Sequence, residues 1–117
     1  MSALYLTQRA ERDLIAIEDY SLETWGPKVA AEYMQKFQAA FDLLAASPQL
    51  VRGREEFVDW LRFYRVERHW VVCAVLSDDI HVLAVRHGAM DLPRRLTELE
   101  PQLLDEAEIM HRRITGQ

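Results

Sequence analysis

The sequence predicts an α+β fold in which a two-helix hairpin packs on one face of a three-stranded antiparallel meander. Two periodicities of helical spacing occupy residues 8–46, and three apolar segments of strand length follow residue 59. A single layer of sheet cannot bury its own apolar face, so the helices must cover it. With 117 residues the chain suits one domain, 1–117, in which residues 97–117 are a C-terminal helical extension.

The N-terminal part predicts a short strand that joins the sheet, followed by a helix. Residues 3–7 are apolar, and Thr7 suits the N-cap of the segment that follows. Gly26 suits its end, because glycine adopts the left-handed conformation that closes helices. The apolar stripe of this helix is predicted to consist of Ala10, Leu14, Ile17 and Ser21, widened by Ile15 and Leu22.

A second helix is predicted to begin at Pro27, because proline is tolerated in the first turn. Ser47-Pro48 ends it, and the short connection predicts an antiparallel helical hairpin. Its broad apolar face is predicted to consist of Ala30, Tyr33, Met34, Phe37, Ala40, Phe41 and Leu44. Such a stripe indicates core packing rather than a ligand site.

Three strands are predicted after a loop at residues 47–56. Residues 60–66 alternate in polarity, which places Arg62 and Tyr64 on a face that we expect to be open. Residues 69–76 are almost continuously apolar, as in a central strand covered on both faces. The third strand, residues 80–86, follows the turn residues Ser77, Asp78 and Asp79.

The C-terminal residues predict helical structure in two pieces. Residues 91–99 suit a short helix with Asp91 as its N-cap, and we expect Pro101 to interrupt it. Beyond that proline, a final amphipathic helix is predicted from Leu103, Ala107, Met110 and Ile114.

Composition excludes several classes of protein. The net charge is −5, yet residues 51–96 carry eight arginines and no lysine against seven acidic residues. An acidic chain is a poor non-specific binder of nucleic acid. No apolar run approaches the roughly 20 residues of a membrane span, and the N-terminus does not resemble a secretory leader, so we expect a cytoplasmic protein. The single cysteine, Cys73, is expected to be a buried, inert thiol.

The residues by themselves suggest little catalytic chemistry. The sequence has no glycine-rich phosphate loop and no nucleophile elbow, and its four histidines lack the local spacing of a metal site. We therefore expect no metal and no cofactor. Strand arginines beside Tyr64 could hold a phosphodiester. Alternatively, the arginines pair with nearby acids or with the carboxylates of a partner.

Three segments carry a resemblance to a known family. Residues 6–26, LTQRAERDLIAIEDYSLETWG, are similar to the opening of ParE-type toxins through Ala10, Asp13-Leu14, Ile17, Tyr20 and Trp25-Gly26. The end of the second helix and its loop resemble the family through Leu43, Ser47-Pro48 and Arg52-Gly53. The meander and its closing motif do so through Arg65-Val66, His69, Val85-Arg86-His87 and Met90-Asp91. Residues 3–96 thus resemble a toxin of the ParE/RelE superfamily.

This resemblance implies the toxin of a type II toxin–antitoxin system. A ParE-type member would inhibit DNA gyrase by binding, without enzymatic activity, and would be neutralised by a ParD-like ribbon-helix-helix antitoxin. A RelE-type member would instead cut messenger RNA on the ribosome, with Arg62, Arg86 and His87 as the candidate catalytic residues. A third alternative is a non-toxic module that keeps only the antitoxin complex. RelE-type members use lysine in RNA cleavage, and here lysine occurs only at Lys28 and Lys36, both in the predicted helical hairpin. This favours the interpretation of a gyrase-directed toxin.

The resemblance also predicts a partner surface. An acidic antitoxin tail would lie in a groove on the sheet, where arginines meet its carboxylates and tryptophans anchor its apolar side chains. The candidate residues for this surface are Trp60, Arg62, Arg65, Trp70 and Arg86. Operator DNA would be bound only through the antitoxin complex.

Overall fold

A computed structural model describes residues 3–55, 57–88 and 92–115 of the chain. The elements in chain order are β1 (Leu4–Leu6), α1 (Gln8–Trp25), α2 (Pro27–Ala46), β2 (Arg62–Val66), β3 (His69–Leu76), β4 (Asp79–His87) and α3 (Leu92–Thr115). The four strands form one sheet in the order β1-β4-β3-β2, in which β1 runs parallel to β4 and the other pairs are antiparallel. The predicted α+β fold, with the N-terminal strand in the sheet, is confirmed.

Thr7 joins the edge strand to the first helix. Its main-chain N–H and its hydroxyl both donate to the carbonyl of Val82 on β4, at 3.1 and 3.2 Å. The same hydroxyl accepts the N–H of Ala10, at 3.2 Å, as an N-cap does. The predicted cap is confirmed, and it fixes where the chain leaves the sheet.

The helical hairpin turns at a single residue. Gly26 has a φ of 89° and a ψ of 171°, a combination adopted essentially by glycine alone and costing other residues on the order of 1–3 kcal/mol. It ends α1 through a hydrogen bond from its N–H to the carbonyl of Leu22, and its own carbonyl accepts the N–H of Ala30. The hairpin packs on what we call the first face of the sheet. The buried residues of that layer are Ala10, Phe37, Ala40, Phe41, Leu44, Val51, Val66, Val71, Cys73, Ile80, Val82 and Val85.

One part of the predicted stripe on α1 is wrong. Ile15 and Leu22 are exposed, whereas Leu14 and Ile17 pack against the first face. The reason is that α1 contacts the rest of the domain along a narrow stripe centred on Ala10 and Ser21, its two fully buried residues.

The two central strands are covered on both faces, as predicted for residues 69–76. Alternate residues of β3 belong to the first face and to the opposite one, which we call the second face. Ser77 and Asp78, both with positive φ, form the two-residue turn into β4. A bulge at Val72 and Cys73 leaves Leu83 of β4 without a directly opposed residue.

Helix α3 packs on the second face and corrects two expectations. Pro101 does not interrupt it, although an interior proline removes a helical hydrogen bond and costs about 3 kcal/mol. Burial of Leu103 and Ala107 against Leu83 and Ala84 of β4 offsets this cost. The predicted cap, Asp91, lies outside the described residues.

The segment before β2 is more structured than predicted. Residues Pro48–Leu50 form one turn of 3₁₀-helix, and Arg52 pairs with Phe63 through two main-chain hydrogen bonds of 3.0 and 2.8 Å. Trp60 lies in a turn rather than in the strand, which begins only at Arg62.

Candidate functional site

Three polar and aromatic residues lie side by side across the sheet on its second face. Arg65 of β2 is directly opposite Trp70 of β3, which is in turn opposite Arg86 of β4. Residues opposed in this way point to the same side of a sheet. We call Arg65, Trp70 and Arg86 the arginine row. It lies at the end of the sheet where β3 begins and β4 ends.

Trp70 is the centre of this row. The guanidinium carbons of Arg54 and Arg65 each lie 5.0 Å from its ring centroid, within the range of a cation–π interaction. Phe63 packs edge-on against the same indole, with ring centroids 6.3 Å apart. The aromatic ring therefore holds two positive charges on one patch of surface.

The guanidinium of Arg65 is held in place by main-chain contacts. Its Nε donates to the carbonyl of Glu67, at 2.7 Å. A Cβ atom at Gly88 would lie only 2.6 Å from one of its terminal nitrogens, so a residue with a side chain there would displace the guanidinium. Within the described part of the chain, no carboxylate lies within 4.0 Å of Arg65, which leaves its charge available to a partner.

Arg86 is the more enclosed of the two outer members. Its Nε lies 3.9 Å from the Oδ2 atom of Asp13 on α1 and has no hydrogen-bond partner within the described part of the chain. That carboxylate accepts the main-chain N–H of Val85, at 2.9 Å. Burial raises the pKa of Asp13, and the Val85 hydrogen bond and the Arg86 charge oppose this rise. Arg86 is thus positioned by the helical hairpin as well as by its strand.

The other two predicted surface residues lie apart from the row. Trp60 is half-buried and packs against the second-face core, on the same side of the sheet as Trp70. Arg62 shares a face with Tyr64, as predicted, but this face is not open: Tyr64 packs against the core beneath the helical hairpin. The expectation of an open face there is wrong, because α2 covers this side of β2.

The histidines form two groups that the sequence did not indicate. On the first face, the Tyr33 hydroxyl lies 2.7 Å from Nδ1 of His69, whose ring meets that of His87 at 5.1 Å. Burial, and then the neighbouring His87 and Arg65, lower the pKa of His69 to about 4. The sequence does not predict the contact between His69 and His87, because the two residues are far apart along the chain and become neighbours only through strand register.

The second histidine group lies between the sheet and α3. His81 is fully buried, neither ring nitrogen has a hydrogen-bond partner among the residues that the structure describes, and burial lowers its pKa. Its ring stacks on Tyr5 at 5.5 Å and meets the edge of His111 at 5.9 Å. Burial and ring contacts make His81, in its neutral form, a packing residue between the sheet and α3.

The cysteine thiol and the candidate metal ligands show no reactive or ligand-binding arrangement in the described residues. Cys73 is buried, and burial raises its pKa well above the ordinary value, so its thiol stays protonated. Over residues 3–55, 57–88 and 92–115, no three histidine, cysteine or acidic side chains converge as metal ligands would. Within those ranges, no helix is both long and apolar enough to cross a membrane.

A small α+β domain that presents two arginines stacked on a tryptophan has a feature typical of protein-binding surfaces. Comparison with known proteins gives the particular family. A family model described as the ParE toxin of the type II toxin–antitoxin system parDE matches residues 4–92. The chain belongs to the ParE toxin family.

Individual relatives agree with this assignment. The chain is 33% identical to Toxin ParE of Escherichia coli over 99 residues, which are 84% of this chain and 96% of that protein. It is 32% identical to Toxin ParE1 of Mycobacterium tuberculosis over 98 residues, 82% of this chain and all of that protein. A solved structure of the chromosomal ParDE system from P. aeruginosa superimposes with a TM-score of 0.65 at 25% identity, over 74% of this chain and 96% of that chain. The family match ends at Leu92, where α3 begins.

Proposed function

We propose that this protein is a cytoplasmic toxin that binds DNA gyrase and is neutralised by a ParD-like ribbon-helix-helix antitoxin. It carries no active-site chemistry of its own in this proposal and needs no cofactor. The family assignment supports the toxin role, and the solved ParDE relative supports an antitoxin as partner. Operator DNA is reached only through the antitoxin complex.

The observation that carries the antitoxin part of the proposal is the stacking of Arg54 and Arg65 on Trp70. Guanidinium groups bind carboxylates in a fixed geometry, and a tryptophan beside them supplies the apolar contact that typifies a binding hot spot. An acidic, amphipathic tail offers the complement of both features. It would lie along the arginine row, with Trp60 as a second anchor on the same side.

Arg62 enters this surface in a different way. It lies on β2, which is an edge strand, and on the face opposite the arginine row. A tail on the second face would reach Arg62 only by passing around the edge of β2. A loss of affinity on substitution of Arg62 would therefore indicate that the tail passes around this edge, whereas the main contacts are those with the arginine row.

The ribonuclease alternative has weaker support in the geometry. Its three candidate residues would have to converge on one phosphodiester. Arg86 points to the second face, whereas His87 meets His69 on the first face, because consecutive residues of a strand point to opposite sides. Arg62 pairs with Cys73, several residues along the sheet from His69. These positions favour action by binding over RNA cleavage.

The antitoxin surface is tested by charge reversal. The antitoxin is supplied as the product of the short open reading frame expected upstream, and its affinity is measured by calorimetry. Arg65→Glu and Arg86→Glu should each weaken the complex by on the order of 30-fold or more, since each leaves like charges facing the tail. Arg12→Glu, an equal charge change on the exposed side of α1, is the matched control. Full affinity in both row variants would place the antitoxin elsewhere.

The target is tested by expressing the chain alone. Gyrase inhibition predicts filamentous cells with an induced DNA-damage response, and the purified chain should inhibit supercoiling. Arrest of translation with ribosome-dependent mRNA cleavage would favour the ribonuclease instead. Unimpaired growth with intact antitoxin binding would identify a non-toxic module.

A further inference from the structure

The outer flank of α1 carries large apolar side chains that the fold leaves in solvent. Ile15, Leu22 and Trp25 are 57%, 42% and 61% exposed. At about 100° of rotation and 1.5 Å of rise per residue, they fall within an arc of about 80° and extend over about 15 Å. They therefore form one continuous strip, which we call the α1 stripe.

Acidic residues accompany the α1 stripe. Glu11 and Glu18 fall within the arc of the stripe around the helix. Asp19 and Glu23 border the stripe on the side of Ile15. All four are exposed, and none forms an ion pair within the described part of the chain. Arg9, one of the two cations of α1, is neutralised by Glu106 of α3, at 2.8 Å. The other cation, Arg12, is exposed about 60° around the helix from Ile15, beside Asp19 and Glu23. The stripe and its border therefore hold four acidic residues against this one arginine, so the surface is apolar with a net negative charge.

This surface is the electrostatic opposite of the arginine row. The row is on the second face of the sheet, and α1 packs on the first. An acidic tail that suits Arg65 and Trp70 would be repelled by Glu11 and Glu18. A symmetric pairing of two copies through this stripe is disfavoured for the same reason, because two acidic stripes would face each other. The occupant that fits is a protein surface with apolar and basic side chains.

We propose that the α1 stripe is the surface through which this toxin binds its target, by contact with an apolar patch bordered by lysine or arginine. This inference rests on the proposed function, in which the target is gyrase. Trp25, at the C-terminal end of the stripe, is its main anchor, because an exposed tryptophan gains the most from burial at an interface. Antitoxin and target then occupy separate surfaces of opposite charge.

The experiment compares two stripe variants with a control on the same helix. The first variant combines Ile15→Ser, Leu22→Ser and Trp25→Ala, and the second combines Glu11→Lys with Glu18→Lys. The control, Tyr20→Ser, removes a side chain that is 64% exposed but lies about 160° around the helix from Leu22. Inhibition of supercoiling by purified host gyrase is measured with each, beside the melting temperature and the antitoxin affinity.

Both stripe variants should need at least about tenfold more protein than the parent for equal inhibition, as expected when hot-spot contacts are lost. They should keep the antitoxin affinity and melting temperature of the parent, and the control should inhibit as the parent does. Parent-like inhibition by both variants would overturn the stripe while leaving gyrase as the target. A parent dimer that the first variant abolishes would assign the stripe to self-association. A parent without effect on gyrase would overturn the proposed function.

Discussion

The carboxylate of Asp13 accepts a hydrogen bond from the main-chain N–H of Val85, at 2.9 Å, although 72 positions separate the two residues. Strand β1 pairs with β4 only as far as Val82, so β4 extends beyond β1 along this edge of the sheet. The carboxylate of Asp13 on α1 accepts the main-chain N–H that a longer β1 would otherwise have paired with. The same carboxylate faces Arg86 and so links the hairpin to the arginine row.

Removing this carboxylate should destabilise the domain. Asp13→Ala leaves the buried Val85 amide without an acceptor, and we expect a loss of about 1–3 kcal/mol in the free energy of unfolding. Asp13→Asn keeps an acceptor oxygen and avoids burying a charge, so its loss should be smaller. Urea denaturation of both variants measures the difference, and an equal loss in the two would show that the charge, rather than the acceptor, matters.

Acid should weaken the fold through His69. Its pKa is about 4 in the folded chain and near 6.5 when unfolded, so the unfolded chain binds more protons between these values. Stability is therefore full above pH 6.5 and is lost as the pH falls toward 4. Between pH 7 and pH 5 the loss should be about 1–2 kcal/mol, discounted for the partial exposure of the ring.

The variant His69→Asn tests this assignment. Denaturant unfolding of parent and variant is compared at pH 7 and pH 5, where carboxylates of ordinary pKa stay largely ionised. The variant should lose less stability over this interval. A pH dependence identical to the parent's would assign the effect to another group, of which His81 is the next to test because its pKa is also lowered by burial.

The packing of α3 on the second face depends on Leu103. This side chain is fully buried, and Leu103→Ala should cost about 2–5 kcal/mol by leaving a cavity. Leu104→Ala is the matched control, because the neighbouring leucine is exposed and its loss should change stability by about 0.5 kcal/mol or less. Equal effects in thermal unfolding would contradict the packing of α3 described above.

Replacing Pro101 should increase the stability of the domain. Pro101→Ala restores the missing N–H of the helix interior and relieves the contact with the preceding turn, so the variant should be more stable by up to about 3 kcal/mol. Circular dichroism during thermal unfolding measures this gain. A lower melting temperature would indicate that the proline ring itself packs favourably.

The sequence by itself determined the elements from β1 to β4 and their order. Thr7, Gly26, Pro27 and Ser47-Pro48 are local signals, because capping and backbone restriction depend on a few adjacent residues. The same is true of the apolar run of β3 and the turn at Ser77 and Asp78. The resemblance to ParE-type toxins also depended only on ordered motifs, and the family match confirmed it.

Tertiary structure decided which residues meet. Arg65, Trp70 and Arg86 form a row, and Arg62 is separated from them, because strand register assigns each side chain to a face. Register likewise places His69 opposite His87 on the first face, whereas Arg86 points to the second face. Helix α3 continues through Pro101 because burial of Leu103 outweighs a local preference. Such outcomes depend on contacts between distant segments, and no local pattern encodes them.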